Sequence, residues 1–250
     1  MKINKPKGSL YIGTSNIVLA GSKGTFPHEY KDRSRLYYYS TIFNSVEINA
    51  TFYKTPLHKT FRKWAADTTS AFKFSVKFPK TITHSKKLAF QQSDIHSFLQ
   101  QADGLGEKKG CLLIQLPGKI TLDYFSEVDD LLHHINQDEL SGGWKKVIEF
   151  RDGSWDTGET LELLDGHHFS MVHHDHAKIK MEPFPQKSNL IYVRCHGPMG
   201  NYRGSYEDDY LRKLAARIHE WSAKGKQVYV YFNNTIGDAF HNAKRLMEFC

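Results

Sequence analysis

Cysteine is scarce in this chain, with three among 250 residues. An odd count leaves no complete set of bridges, and Cys111 and Cys195 fall inside strand-like runs, which suits reduced thiols in a cytoplasm better than a disulfide framework. Proline is also sparse at eight residues, and no Pro/Gly/Ser-rich or low-complexity stretch marks a linker. Residues 1–250 are therefore expected to form a single domain. No apolar run approaches the roughly 20 residues of a transmembrane helix. The basic start Met1-Lys-Ile-Asn-Lys-Pro-Lys-Gly8 leads into no apolar segment of the secretory type. The expectation is a cytoplasmic protein without membrane contact. Blocks of like charge are missing too, although the net charge is +7, from 34 Lys and Arg against 27 Asp and Glu. That excess favours anionic partners in general and, being scattered, does not single out nucleic acid.

What the chain has is period-two alternation. Eight segments read as strands: Ser9 to Thr14, Ser45 to Asn49, Phe72 to Phe78, Cys111 to Leu116, Lys146 to Arg151, Phe169 to His174, Leu190 to His196 and Val228 to Asn233. Helix-sized amphipathic stretches separate most of them. Thr55-Pro56 reads as a cap followed by proline at the first helical position, with Leu57, Phe61, Trp64 and Ala65 on one face. Phe125, Val128, Leu132 and Ile135 mark a second stripe. Leu211, Leu214, Ile218 and Trp221 mark a third, between acidic Glu207 to Asp209 and Gly225. From Ala177 to Lys187 there are two prolines and no stripe, so the sixth helix is expected to be short or missing. Strands alternating with helices at this spacing predict a (β/α)8 TIM barrel, with an open doubly wound sheet as the alternative.

Parity then sorts side chains. With Val46, Ile48, Phe74, Val76 and Phe78 facing the helices, the axis receives Glu47, Asn49, Lys77, Gln115, Glu149, Arg151, Arg194, His196, Tyr231 and Asn233. Cys195 faces outward with Val193. Buried charges cost several kcal/mol per ion, so a set of them at the carboxyl ends of barrel strands reads as a functional site. Lys77, Arg151 and Arg194 outnumber Glu47 and Glu149 by one charge, which an anion would balance.

Several runs together resemble one family. They are Ile12-Gly-Thr-Ser15, Phe43-Asn-Ser-Val-Glu-Ile-Asn-Ala-Thr-Phe-Tyr53, Phe72-Lys-Phe-Ser-Val-Lys-Phe-Pro79 with Ile82-Thr-His84, Gln115-Leu-Pro117, Glu149-Phe-Arg151 with Trp155, Val193-Arg-Cys-His-Gly197 and Tyr229-Val-Tyr-Phe-Asn-Asn234. In order and along nearly the whole chain they are similar to the YecE-like family, domain of unknown function 72. The resemblance implies a barrel, points to the same mouth, and names no reaction. It brings Tyr53 and His84 to the candidate site. One departure stands out: the family pattern continues Gly-Thr-Ser-Gly-Trp, whereas here Ser15 is followed by Asn16-Ile-Val-Leu19.

The expected function is an enzyme acting on a small anionic substrate, a sugar or phosphorylated metabolite, as a hydrolase or lyase with carboxylate acid/base catalysis. Glu47, Lys77, Glu149, Arg151 and His196 are the expected catalytic residues. Asn49, Tyr53, His84, Gln115, Arg194, Tyr231 and Asn233 would bind substrate. Lys77 reads as an anion clamp or a Schiff-base nucleophile. A phosphate is expected near Arg194, on the glycine-rich loop Gly197 to Gly204 and the loop after Asn233. A non-catalytic or nucleic-acid-associated anion binder is the alternative. No cofactor is expected, and the weak metal candidates are His174 with His176, or His173 with Asp175.

Overall fold

The structure is a computed structural model that describes residues 8–176 and 187–250. Its strands are β1 (Leu10–Thr14), β2 (Ser45–Ile48), β3 (Lys73–Lys77), β4 (Lys109–Gln115), β5 (Lys145–Glu149), β6 (Ser170–Met171), β7 (His173–His174), β8 (Leu190–Cys195) and β9 (Gln227–Phe232). All pair in parallel, in the orders β2-β3-β4-β5-β6 and β1-β9-β8-β7. The short β6 and β7 are one extended stretch interrupted at Val172, so the two sheets run into each other there. This is the TIM barrel expected from the alternation.

The remaining seam, between β1 and β2, is closed differently. Backbone pairing is limited to the bridge from Ser15 to Glu47, and side chains take over the rest. Asn44 accepts from the Ile12 N–H at 2.9 Å through Oδ1 and donates from Nδ2 to the Leu10 carbonyl at 2.8 Å. The Tyr39 hydroxyl accepts from the Thr14 N–H at 2.7 Å and donates to the Ser45 carbonyl at 3.2 Å. Both satisfy strand groups that would otherwise be buried without partners. Gly13 is needed here, because a Cβ would come within 2.0 Å of the Ser45 carbonyl oxygen.

Helices α1 (Arg35–Ile42), α2 (His58–Ala66), α3 (Lys80–Thr83), α4 (Gln92–Ala102), α5 (Phe125–Gln137), α6 (Gly158–Gly166), α7 (Asp208–Ala223) and α8 (Ala239–Phe249) surround the strands. Among the described residues no helix is long and apolar enough to cross a membrane. The stripes of α5 and α7 bury as their periodicity requires. The α2 boundary differs from expectation. Leu57, not Thr55, sits at the cap position, and Leu57 is 59% exposed while Phe61 is buried. The proline at position 56 thus lies in the approach to the helix and not in its first turn. The sixth-helix segment, 177–187, lies outside the described residues except for its last residue, Lys187.

Two cores result. The larger lies between strands and helices, where Phe74, Val76, Ile114, Val193 and Val230 meet Phe98, Leu132, Leu211 and Ile218. The smaller fills the barrel itself with Cys111, Leu113, Val147, Val172 and a set of tyrosines. Tyr11 stacks on Tyr229 at 4.4 Å, and Tyr192 on Tyr229 at 6.2 Å. Tyr231 bonds to Ser45 and Ser75.

Candidate functional site

Above the tyrosines the barrel carries an ion layer. Arg194, whose side chain is 1% exposed, donates from Nε to Glu47 Oε2 at 2.9 Å and from Nη2 to Glu47 Oε1 at 2.8 Å. From Nη1 it donates to Glu149 Oε2 at 2.6 Å. Glu47 also accepts from Ser15 Oγ at 2.6 Å and the Tyr192 hydroxyl at 2.7 Å. Burial alone would raise both carboxyl groups. Arg194 with the hydroxyl donors outweighs that at Glu47, and Arg151 with Arg194 outweighs it at Glu149, so both stay ionised.

Toward the carboxyl ends the layer opens. Arg151 donates from Nε to Glu149 Oε1, contacts His196 Nε2 through Nη2 at 2.9 Å and reaches the Tyr202 hydroxyl at 3.4 Å. Since His196 Nε2 accepts from guanidinium, its proton sits on Nδ1, facing Asp175 Oδ1 at 3.6 Å. Asp175 is held by Tyr206 and by the His196 backbone N–H. Burial depresses His196 to about 4, leaving it neutral at pH 7.

Lys77, at the end of β3, donates to Gln115 Oε1 at 2.8 Å and lies 4.1 Å from the centroid of the Phe52 ring. Burial, then the Arg194 charge, bring it down to about 8. His84 meets the same Phe52 ring edge-on at 4.8 Å. Burial and the nearby charges of Lys77, Lys119 and Arg151 depress it to about 4. Lys119 is brought in by the turn at Gly118, where a Cβ would lie 3.1 Å from the Arg151 carbonyl oxygen.

Lys77, Gln115, Glu149, Arg151 and His196 thus gather at the carboxyl end with His84. Other expectations need correction. Arg194 cannot greet a ligand: it is sealed beneath the mouth and its donors are held by two carboxylates. Glu47, with four donors on its two oxygens, is held as a counter-ion to Arg194. Glu149 is likewise buried and held by two arginines, so the geometry lends no support to the carboxylate pair expected for hydrolase chemistry. Tyr231 sits below the ion layer, because its partner Ser45 precedes Glu47 by two residues on one strand face. Part of the glycine-rich loop and of the loop after Asn233 is already hydrogen-bonded. The N–H groups of Gly197, Gly200, Tyr202, Ile236, Gly237 and Asp238 all donate within the protein. Asn233 is buried, its N–H donating to the Cys195 carbonyl. Tyr53 stands at the rim, 75% exposed. Asn49 lies at the β2 exit, and its buried Oδ1 has no hydrogen-bond partner among the described residues.

The metal candidates are otherwise occupied. His174 Nε2 meets the Phe150 carbonyl at 3.0 Å and Nδ1 accepts from the His176 N–H at 3.3 Å. His173 stacks on Trp221. Among the described residues no group of three or more His, Cys, Asp or Glu can hold a metal ion.

The sequence did not assign Ser15, Tyr192, Phe52, Lys119 or Tyr202 to the site, and it offered Asp175 only as a weak metal ligand beside His173. Tyr192 was within reach, sharing parity with Arg194 two residues on. The others come from loops, where no period marks direction.

A family model described as "Protein of unknown function DUF72" matches residues 11–250. The UPF0759 protein YecE of Escherichia coli K12 is 32% identical over 113 residues, 45% of this chain and 40% of YecE. The match therefore spans about two fifths of that relative's length. A crystal structure of a DUF72 family protein from Enterococcus faecalis V583 superposes with a TM-score of 0.80 at 22% identity, covering 96% of this chain and 94% of the other. One from Thermotoga maritima MSB8 gives 0.71 at 25% identity, covering 96% and 98%.

Proposed function

The chain belongs to the DUF72 family, and from that premise we propose that the mouth of its barrel binds a small anionic molecule of the sugar-phosphate or phosphorylated-metabolite class. The observation that carries this reading is the charge balance around His84. Lys77, Lys119 and Arg151 all act on that imidazole, while Glu47 and Glu149 are taken up by Arg194 and Arg151 below. Among the described residues the open side of the layer is left with positive charge and two unused guanidinium protons on Arg151. An anion seated there gains charge-assisted hydrogen bonds in a poorly solvated site. The Asn49 Oδ1, which has no hydrogen-bond partner among the described residues, would accept from a ligand hydroxyl. Two buried cysteines and a third at the C-terminus, all free, suit residence in a reducing cytoplasm.

Titration calorimetry with inorganic phosphate and simple sugar phosphates at low ionic strength tests the reading. Arg151→Gln is expected to weaken binding about tenfold or more, as loss of a charge-assisted hydrogen bond of roughly 1.5–3 kcal/mol requires. Affinity that is undetectable in the native chain, or unchanged by Arg151→Gln, would refute it.

A further inference from the structure

We propose that the ligand of this mouth carries a carbonyl group and that Lys77 joins it covalently as an imine. The inference rests on the anion-binding reading and adds the reacting atom. The geometry at Lys77 is that of an amine held ready and not of a neutralised charge. Its Nζ is pinned between Gln115 Oε1 and the face of Phe52. Among the described residues no carboxylate is in ion-pair contact with it, because Glu47 and Glu149 turn to the two arginines instead. Burial and the neighbouring arginines make the ammonium give up its proton more readily, outweighing the amide oxygen, the ring face and the more distant charges of Glu47 and Glu149, which favour the charged form. At about 8, roughly one Lys77 in ten is neutral at pH 7, against fewer than about one in a thousand for an exposed lysine. A solvated surface lysine has no such supply of nucleophile.

The step balances without any redox partner. The Nζ lone pair adds to the carbonyl carbon, a proton passes from nitrogen to the new alkoxide, and the carbinolamine then loses that oxygen as water, leaving C=N. His84 is the group placed to carry the proton. It is neutral, shares the Phe52 ring with Lys77 and feels the Lys77 charge. Gln115 acts as a positioning residue through its bond to Nζ. The ligand's anionic end would face Arg151 and its carbonyl Lys77, so an oxo acid or a keto or aldehyde sugar phosphate satisfies both.

Reductive trapping of the native chain decides the matter. The protein is incubated with glyoxylate, a small anionic aldehyde, and cyanoborohydride, and modified lysines are mapped by peptide mass spectrometry. Lys77 is expected to acquire the carboxymethyl group at least about tenfold faster than the median lysine, with inorganic phosphate slowing it. Lys77→Arg should abolish that fast site. Trapping at Lys77 no faster than at surface lysines, in a protein whose phosphate binding still depends on Arg151, overturns the imine and spares the anion reading. Failure to bind phosphate at all strikes at the anion reading instead, and with it this inference.

Discussion

Glu47 illustrates how far a single residue could be understood before its surroundings were known. Period-two parity places it inside the barrel, and it is there. Parity gives a face and not a depth, so it could not tell a carboxylate at the mouth from one sealed with Arg194 below it. That ambiguity explains why Glu47, Arg194 and Tyr231 read as ligand-facing groups, while Lys77, Gln115 and Arg151 do lie at the mouth. The sealed position has an energetic signature. Glu47→Gln leaves the buried Arg194 guanidinium short of countercharge, and removing one partner of a buried pair costs about 3–5 kcal/mol. Urea denaturation should show that loss. A change below about 1 kcal/mol would mean that the pair behaves as a solvated one.

At the scale of elements, the strands were legible to within one or two residues because alternation is a local property. The α2 start was not, because Thr55-Pro56 has the composition of a helix opening while the backbone is still extended at Leu57. Closure at the β1–β2 seam was also invisible, since the Tyr39 and Asn44 side chains perform it from outside either strand. Tyr39→Phe should therefore destabilise by about 1–3 kcal/mol, the cost of leaving a buried donor unpaired at Thr14. Equilibrium unfolding with an unchanged denaturant slope is the check; equal stability would mean that the seam holds without the hydroxyl. The departure at residue 16 also becomes intelligible. Asn16 has φ of 60°, the left-handed region that glycine enters freely and asparagine tolerates best among the rest. Its Oδ1 accepts from the Asn49 N–H at 3.0 Å, a bond that glycine could not make.

The whole molecule has a polarity in pH as well as in space. His84 and His196 titrate at about 4 when folded, against about 6.5 when unfolded. The unfolded chain takes up those protons first, so stability falls as pH drops from about 6.5 toward 4. Glu47 and Glu149, held low by the arginines, add stability that is present above their unfolded value of about 4.3 and lost as pH falls through their folded values. Lys77 works in the same sense between about 8 and its ordinary 10.5, where the unfolded chain still holds its proton. Above about pH 10 the buried tyrosines reverse the trend, since Tyr192, Tyr229 and Tyr231 resist ionisation when folded. The urea midpoint should climb from pH 5 to pH 8. A flat profile across that range would show that the buried His196 and half-buried His84 are not shielded as described.

The tyrosines in the barrel also decide traffic. A cavity of about 340 Å³ lies at the opposite end, lined by Trp144, Lys145, Ser170 and Leu190 among others, but the phenol rings and the ion layer stand between it and Lys77. The barrel is a cup and not a conduit. A ligand bound at Arg151 as proposed would have to leave past Arg151, so anything made from it there would share one doorway with it and, keeping its anionic group, would compete for that doorway.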